Sequence, residues 1–144
     1  MDEERTEIGT LGEFGLIAEL TQDLETHQDS TKVGVGDDAA VLAPVPGHRT
    51  LVSTDLLCEG IHFDLTYSPL KHLGYKAVVV NLSDICAMNG TPRQVVMGLG
   101  LSNRFSVEAV KELYDGVKLA CSRYKVDLVG GDTTSSKAGL TLSV

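Results

Sequence analysis

Four aspartates of this sequence stand among small, hydroxyl or apolar residues rather than among other charges. They are Asp38 in GDDAAV, Asp55 in STDLL, Asp84 in NLSDICAM and Asp132 in GGDTTSS. Two carboxylates about 6 Å apart repel each other by roughly 3 kcal/mol at an effective dielectric constant of about 20, so four together need cations or partial protonation. Each alone also has an ordinary structural explanation, because Asp84 can cap a backbone group and Asp132 can belong to a turn.

If these aspartates converge, their chemistry predicts a hard metal ion. No paired Cys or clustered His accompanies them, and ligand sets made of oxygen alone select Mg²⁺, or else Mn²⁺ or Ca²⁺. Ser53 and Thr54, beside Asp55, can add hydroxyl oxygens. Mg²⁺ held by a few carboxylates completes its coordination with waters and substrate phosphates, so the pattern indicates phosphate chemistry.

The segment 34–41, GVGDDAAV, carries two adjacent aspartates in a run with the pattern of a half-buried strand. Neighbouring strand residues point to opposite faces, so we expect Asp38 to face the site and Asp37 to face away, capping a backbone N–H or meeting a lysine. The letters also match a G-x-G-x-x-A dinucleotide fingerprint, but that motif requires a following helix, and DAAVLAPVP is not helical. The sequence has no G-x-x-x-x-G-K-[ST] loop, which excludes a conventional P-loop nucleoside triphosphatase.

The composition of the chain argues against some classes of binding partner. The 20 acidic and 12 basic residues give a net charge of −8, which argues against nucleic acid or an anionic membrane surface as the main partner. The first residues, MDEERTE, are acidic and polar and do not resemble a signal peptide, and no apolar run of the sequence approaches the roughly 20 residues that span a membrane. Cys58, Cys86 and Cys121 are odd in number and widely spaced, which favours a reducing cytoplasm over a disulfide framework.

The predicted elements alternate between strand and helix after a first strand pair. Apolar periodicity and turn residues predict helices at 11–25, 68–89 and 106–124, the second with Ser68 as its N-cap. They predict strands at 38–43 and 50–57, paired around PVPGH, and at 94–102, 126–130 and 139–144, with GGDTTSS as a loop. This order predicts an α+β fold with a mixed, mainly antiparallel sheet and helices packed on one face.

The length of 144 residues predicts a single domain. We expect residues 1–10 to form a mobile acidic tail and residues 11–144 to form the domain. The sequence stops within the alternating pattern GLTLSV, so we interpret it as the N-terminal part of a longer protein that has a further, C-terminal domain.

Five motifs in order resemble the N-terminal half of the thiamine-monophosphate kinase family. These motifs are GEFGLI, GDDAAV, STDLLCEGIHF, YKAVVVNLSDICAMNGTP and GGDTTSS. That family belongs to the aminoimidazole ribonucleotide synthetase-like ATP-binding superfamily. The resemblance covers nearly all of the chain from Gly12 to Ser136, and the combination of STD, EGIHF and NLSD with AMNGTP is its most specific part.

The resemblance implies a role for each matching residue. It implies metal ligation by Asp38, Ser53, Thr54, Asp55, Asp84 and Asp132, with several Mg²⁺ ions bound. It implies nucleotide binding by Gly131, Asp132 and Tyr114, and contact of His62 with the substrate. Two alternatives stay open, because Tyr114 lies on the apolar stripe of its helix and His62 can be an ordinary loop histidine. Asn89 departs from the small residues usual in AMGA-like relatives and is expected to alter a local turn.

The resemblance also implies an activity and an assembly. The activity is ATP-dependent phosphorylation of thiamine monophosphate to thiamine diphosphate by in-line transfer, with no catalytic general base. The assembly is a homodimer whose two sheets pair into a barrel. The alternatives are another enzyme of the superfamily, of the selenophosphate or purine-ring synthetase type, or a non-catalytic metal-binding dimerisation module.

Overall fold

The computed structural model describes residues 5–144. Three helices and six strands follow one another in the order α1 (Ile8–Thr21), β1 (Thr31–Val33), β2 (Val41–Leu42), β3 (Leu56–Cys58), α2 (Leu70–Ala87), β4 (Gln94–Leu101), α3 (Val107–Tyr124), β5 (Asp127–Ser135) and β6 (Leu140–Ser143). Among these described residues, no helix is both long and apolar enough to cross a membrane.

The main sheet has four strands in the order β3-β6-β4-β5. Strand β6 is antiparallel to both β3 and β4, whereas β4 and β5 are parallel and are connected through α3. The expected α+β class with a mixed, mainly antiparallel sheet is confirmed. Strands β1 and β2 form a separate antiparallel pair.

One face of the main sheet is buried and the other is open. Along β4, Met97, Leu99 and Leu101 are buried while the residues between them are partly exposed, as the period of two in a strand requires. In β6, Leu140 and Leu142 are buried in the same alternation. These side chains join those of the three helices in one hydrophobic core, so the helices cover a single face.

Helices α2 and α3 touch through their backbones at two glycines. A Cβ atom on Gly74 would lie 2.0 Å from the carbonyl oxygen of Leu113, and one on Gly116 would lie 1.9 Å from that of Lys71. Both distances are far below van der Waals contact, so any side chain there would force the helices apart. The predicted apolar stripe of α3 is confirmed, because its members are all buried: Val107, Val110, Leu113, Tyr114, Val117 and Cys121.

The helix termini lie within about two residues of the predicted ones except in α1, which ends at Thr21 rather than near residue 25. Helix α3 begins after Ser106, whose hydroxyl accepts a hydrogen bond from the Ala109 N–H, and α2 ends before Asn89, which adopts the left-handed conformation that Asn tolerates. The expected cap at Ser68 is wrong by one residue, because Pro69 precedes α2 and no side chain caps it. Helix α1 begins at Ile8 rather than residue 11 and is interrupted at Gly12, whose φ of 67° is not helical.

Helix α1 begins within residues 1–10, the range that the sequence assigns to a mobile tail. Residues 1–4 lie outside the described residues. The Thr6 N–H donates to Glu108 and Glu7 forms an isolated β-bridge with Ser106, so this part of the predicted tail contacts the start of α3. Its mobility stays a prediction.

Two strand predictions are wrong. The segments 38–43 and 50–57 do not pair, because β2 pairs with β1 and β3 pairs with β6. Only residues 41–42 and 56–57 of those segments are in strands, and residues 44–54 between them have no regular structure. The GGDTTSS segment is not a loop either, since β5 continues to Ser135 alongside β4. Pairing with a long neighbouring strand overrides the turn propensity of Gly and Asp there.

Candidate functional site

Ser53 and Asp84 come together although they are far apart in sequence. Asp84 lies in the last turn of α2 with its side chain exposed, and the Ser53 hydroxyl donates to its Oδ2 at 3.4 Å. Asp55 is half-buried at the start of β3, where its N–H and C=O pair with Val144 at 3.0 and 3.1 Å. The segment 53–55 therefore reaches from the sheet edge to the end of α2 and carries two hydroxyls and a carboxylate.

Asp132 lies on the open face of the main sheet, in a groove of about 370 Å³. The groove is lined by Gly98, Leu99, Gly100, Asp132, Thr134, Ser135, Ser136, Thr141 and Ser143. Its polar groups are hydroxyls and one carboxylate, and no Lys or Arg lines it. A cation bound at Asp132 would offset the repulsion between this carboxylate and the phosphates of a ligand in the groove.

Gly131 has a structural reason to be glycine that does not depend on a ligand. A Cβ atom there would lie 2.0 Å from the carbonyl oxygen of Met97 on β4. Gly131 is paired with Met97, and the register between β4 and β5 shifts just before this pair, between Val95 and Val96. Its expected contact with nucleotide stays a prediction.

Asp37 and Asp38 lie in a bend and not in a strand. Residues 35–39 form bends between β1 and β2, and Gly36 has a positive φ of 132°. The Asp37 Oδ1 accepts the N–H of Asp38 at 2.8 Å, which confirms the expectation that Asp37 caps a backbone N–H. The argument from strand alternation therefore does not apply here. The two carboxylates still differ, because that of Asp37 accepts a local hydrogen bond, whereas that of Asp38 is exposed and accepts none among the described residues.

His62 presents a defined nitrogen to solvent. The Cys58 backbone N–H donates to its Nδ1 at 3.0 Å, so this nitrogen acts as the acceptor. In neutral His62 the proton must then reside on Nε2, which can donate to a ligand. Lys76 Nζ donates to the backbone oxygen of His62 at 2.9 Å and thereby fixes the loop to α2.

Tyr114 belongs to the hydrophobic core. Its side chain is buried, and this burial raises the pKa of its phenol to about 12. The position favours the core role over a nucleotide contact, the two interpretations that the sequence leaves open.

The four aspartates do not form one cluster in the part of the chain that the structure describes. Among residues 5–144, no three side chains of Asp, Glu, His or Cys lie close enough together to hold one ion. The physical reason is that Asp38 sits on a bend at the end of a separate strand pair, whereas Asp84 and Asp132 belong to α2 and the main sheet. The donors present still suit Mg²⁺, which binds through one or two carboxylates and takes its remaining ligands from waters and substrate phosphates.

Asp127 is a buried carboxylate that the sequence patterns did not single out. It is 2% exposed at the start of β5 and accepts hydrogen bonds from the N–H groups of His27 at 2.5 Å and Gln28 at 3.2 Å. The Thr31 hydroxyl donates to it at 2.6 Å. The available signal was an acidic residue within the apolar run VDLVG, where an unpartnered charge would be costly.

Comparison of the sequence identifies a known class of domains. The chain belongs to the family described as AIR synthase related protein, N-terminal domain, which matches residues 36–144.

Within that class, the chain is similar to thiamine-monophosphate kinases. It is 37% identical over 134 residues to the thiamine-monophosphate kinase of Bacillus subtilis, covering 93% of this chain and 41% of that protein. The crystal structure of the Stenotrophomonas maltophilia thiamine-monophosphate kinase matches with a TM-score of 0.70 and 31% identity, over 88% of this chain and 38% of that one. A structure of AaThiL complexed with AMPPCP and TMP matches with a TM-score of 0.60 and 33% identity, over 99% of this chain and 43% of that one. The chain thus spans about two fifths of the length of the relatives it matches.

Proposed function

We propose that this chain is the ATP- and Mg²⁺-binding part of an enzyme that phosphorylates thiamine monophosphate to thiamine diphosphate. The observation that carries this proposal is the similarity along 99% of the chain to AaThiL complexed with AMPPCP and TMP. The oxygen donors of the 53–55 segment, Asp84 and the Asp132 groove are consistent with it, because they suit a cation that accompanies phosphates.

The proposed chemistry needs positioning rather than a general base. The acceptor is already a phosphate oxygen, so no proton has to be removed before in-line attack on the γ-phosphorus of ATP. A Mg²⁺ ion held by this chain would supply positive charge that offsets the negative charge of the reacting phosphates. The proposed ligands from this chain are Asp38, Ser53, Thr54, Asp55, Asp84 and Asp132.

Two further contacts are proposed for the organic ligands. The backbone at Gly131 and the carboxylate of Asp132 border the groove and are proposed to hold the nucleotide together with its metal. The Nε2–H of His62 is proposed to donate to thiamine monophosphate, which fixes the acceptor relative to the donor. Tyr114 is left out of the proposed nucleotide site because its side chain is buried.

A second copy of the chain is proposed to cover the open face of the main sheet. Leu56 and Val96 lie on this face and are 57% and 55% exposed. Two-fold pairing of the sheets into a barrel would bury these side chains in both copies. A C-terminal domain beyond this chain is proposed to complete the site, and a cytoplasmic location is proposed from the three free cysteines.

Product identification tests the function. The full-length protein is incubated with ATP, Mg²⁺ and thiamine monophosphate, and thiamine diphosphate is identified by chromatography and mass spectrometry. Selenide and a purine-ring precursor serve as competing acceptors, and EDTA should abolish turnover. Mg²⁺-dependent ATP binding without thiamine diphosphate would favour another enzyme of the superfamily. The absence of any nucleotide binding would favour a structural dimerisation module.

A further inference from the structure

The carboxylate of Asp127 is surrounded by donors that belong to one short segment. His27 and Gln28 supply backbone N–H groups and Thr31 supplies its hydroxyl, whereas no Lys or Arg forms an ion pair with Asp127 in the part of the chain that the structure describes. Hydrogen bonds to a charged acceptor are roughly twice as strong as neutral ones. The three hydrogen bonds offset the cost of burying the Asp127 carboxylate. They also hold the segment 27–31 against the start of β5.

That segment is the base from which the Asp38 bend projects. Thr31 is the first residue of β1 and pairs with Leu42 of β2, and the N–H of Ala43 donates to the oxygen of Ser30 at 2.7 Å. Gln94 Nε2 from β4 donates to the hydroxyls of Ser30 at 2.7 Å and Thr31 at 2.9 Å. Both ends of the 34–40 bend therefore close on residues that Asp127 and Gln94 hold.

The bend itself has no comparable attachment. Among residues 5–144, the one side-chain hydrogen bond made within residues 34–43 is the local bond from the Asp38 N–H to Asp37. Because the 34–40 bend is attached through the β1–β2 pair, its position follows the position of that pair. The placement of Asp38 therefore depends on the orientation of the β1–β2 pair.

We propose that Asp127 is a positioning residue for the phosphoryl-transfer site, which acts by anchoring the β1–β2 pair that carries Asp38. The proposal rests on the proposed function for the role of Asp38, but the anchoring itself does not require it. Asp127 contacts neither substrate nor metal in this scheme. Its effect on binding passes through the position of the 34–40 bend.

Asp127→Asn is a nearly isosteric probe of this anchor. An amide offers one acceptor and one donor group where the carboxylate offers two acceptors. Because the facing groups of His27 and Gln28 are both N–H donors, one of them must then meet an NH₂ group instead of an oxygen. Thr31→Val removes the hydroxyl that donates to Asp127 and accepts from Gln94, but it leaves the carboxylate and its two N–H bonds in place, so it serves as a second variant.

Hydrogen–deuterium exchange of the ligand-free full-length protein tests the anchoring directly. In Asp127→Asn we expect the hydrogen-bonded amides at the base of the bend, those of residues Thr31 and Ala43, to exchange about tenfold faster, the factor that corresponds to one lost hydrogen bond, while those of β4 and α3 stay within about twofold. Thr31→Val should accelerate exchange of the same two amides, and it replaces Asp127→Asn if that variant does not fold. Unchanged exchange at positions 31 and 43, or equal acceleration throughout the domain, would overturn the proposal.

A double-mutant cycle tests the coupling to the site. Asp127→Asn should raise the Mg²⁺ concentration needed for half-maximal ATP binding about tenfold in the natural background and less than about twofold in the Asp38→Asn background. Val117→Ala, in the core of α3, is the control for general destabilisation and should have the same small effect in both backgrounds. If Asp127→Asn raised this Mg²⁺ concentration by the same factor in both backgrounds, Asp127 would be a structural residue without a positioning role for Asp38. The exchange result stands whether or not thiamine diphosphate is formed, so failure of the anchoring and failure of the proposed function are distinguishable.

Discussion

The carboxylate of Asp84 is exposed and accepts one long hydrogen bond from Ser53. Asp84→Asn should therefore change the free energy of unfolding by less than about 0.5 kcal/mol. It should lower phosphoryl transfer on the order of 100-fold or more, because a charged metal ligand is lost. Steady-state rates at several Mg²⁺ concentrations, with thermal unfolding alongside, check both parts. Asp115→Asn on the exposed side of α3 is the matched control, and near-normal turnover of Asp84→Asn at limiting Mg²⁺ would contradict the metal assignment.

Asp37 and Asp38 should differ despite being neighbours. Asp37 uses Oδ1 to accept the N–H of Asp38, and an Asn at position 37 retains that acceptor. Asp37→Asn should therefore leave Mg²⁺-dependent ATP binding within about threefold, whereas Asp38→Asn should weaken it by roughly tenfold or more. Isothermal titration calorimetry of the two variants measures the difference. Equal losses would mean that both carboxylates reach the bound ligand.

Substitutions at Tyr114 can show whether this residue is part of the core or contacts the nucleotide. Because the phenol is buried and its pKa is raised to about 12, it stays neutral over the working pH range and contributes mainly packing. Tyr114→Phe should keep ATP affinity within about twofold, while Tyr114→Ala should lower the free energy of unfolding by about 3–5 kcal/mol. A large loss of ATP affinity in a well-folded Tyr114→Phe protein would instead support the nucleotide contact.

At the scale of elements, the α2–α3 crossing depends on Gly116. A methyl group there would overlap the carbonyl oxygen of Lys71, so Gly116→Ala should destabilise the protein by about 2–3 kcal/mol despite the better helix propensity of Ala. Gly9→Ala in α1 is the control, since no atom lies within 4 Å of the position that its methyl group would take, and it should be neutral or slightly stabilising. Chemical denaturation of both variants provides the comparison. Equal stability of the two would show that the helices can separate at little cost.

The elements predicted well are those whose signals are local. Helix α3 combines a Ser106 cap with an apolar stripe, and β4 alternates within its own residues, so both could be located from neighbouring letters. Strand partners could not, because the partner of β3 is β6, far along the chain, and no local pattern encodes that pairing. The prolonged β5 shows the same limit, since its GGD residues have turn propensity but lie beside β4.

The candidate site was predictable to a similar extent. The aspartates were selected because their sequence neighbours are small or hydroxyl residues, and the structure brings Ser53 to Asp84 although the four aspartates do not form one cluster among residues 5–144. Asp127 could not be recognised in this way, because two of its three partners are backbone N–H groups, which every residue type except proline supplies. Only the folded arrangement of residues 27–31 reveals its role.

At the scale of the whole molecule, the open face of the sheet predicts self-association. Val96→Lys would place a charge at the centre of the proposed contact, so it should shift the protein from dimer to monomer at micromolar concentration. Leu119→Lys, on the exposed side of α3, introduces the same charge elsewhere and should leave the dimer intact. Sedimentation velocity distinguishes the two outcomes. A natural protein that is already monomeric at this concentration would contradict the proposed sheet pairing.

The pairing of β3 with β6 has a consequence for how the chain reaches its folded state during synthesis. Leu57 of β3 leaves the ribosome early, but its buried position is completed only when Leu142, its partner in β6, has also emerged. Contacts between residues so distant in sequence carry a high entropic cost of loop closure and form late. In the interval, the nascent chain must carry an unpaired apolar strand while α2, β4 and α3 can already assemble. We therefore expect the nascent domain to be a chaperone client until translation passes β6, and to become independent of that protection shortly afterwards.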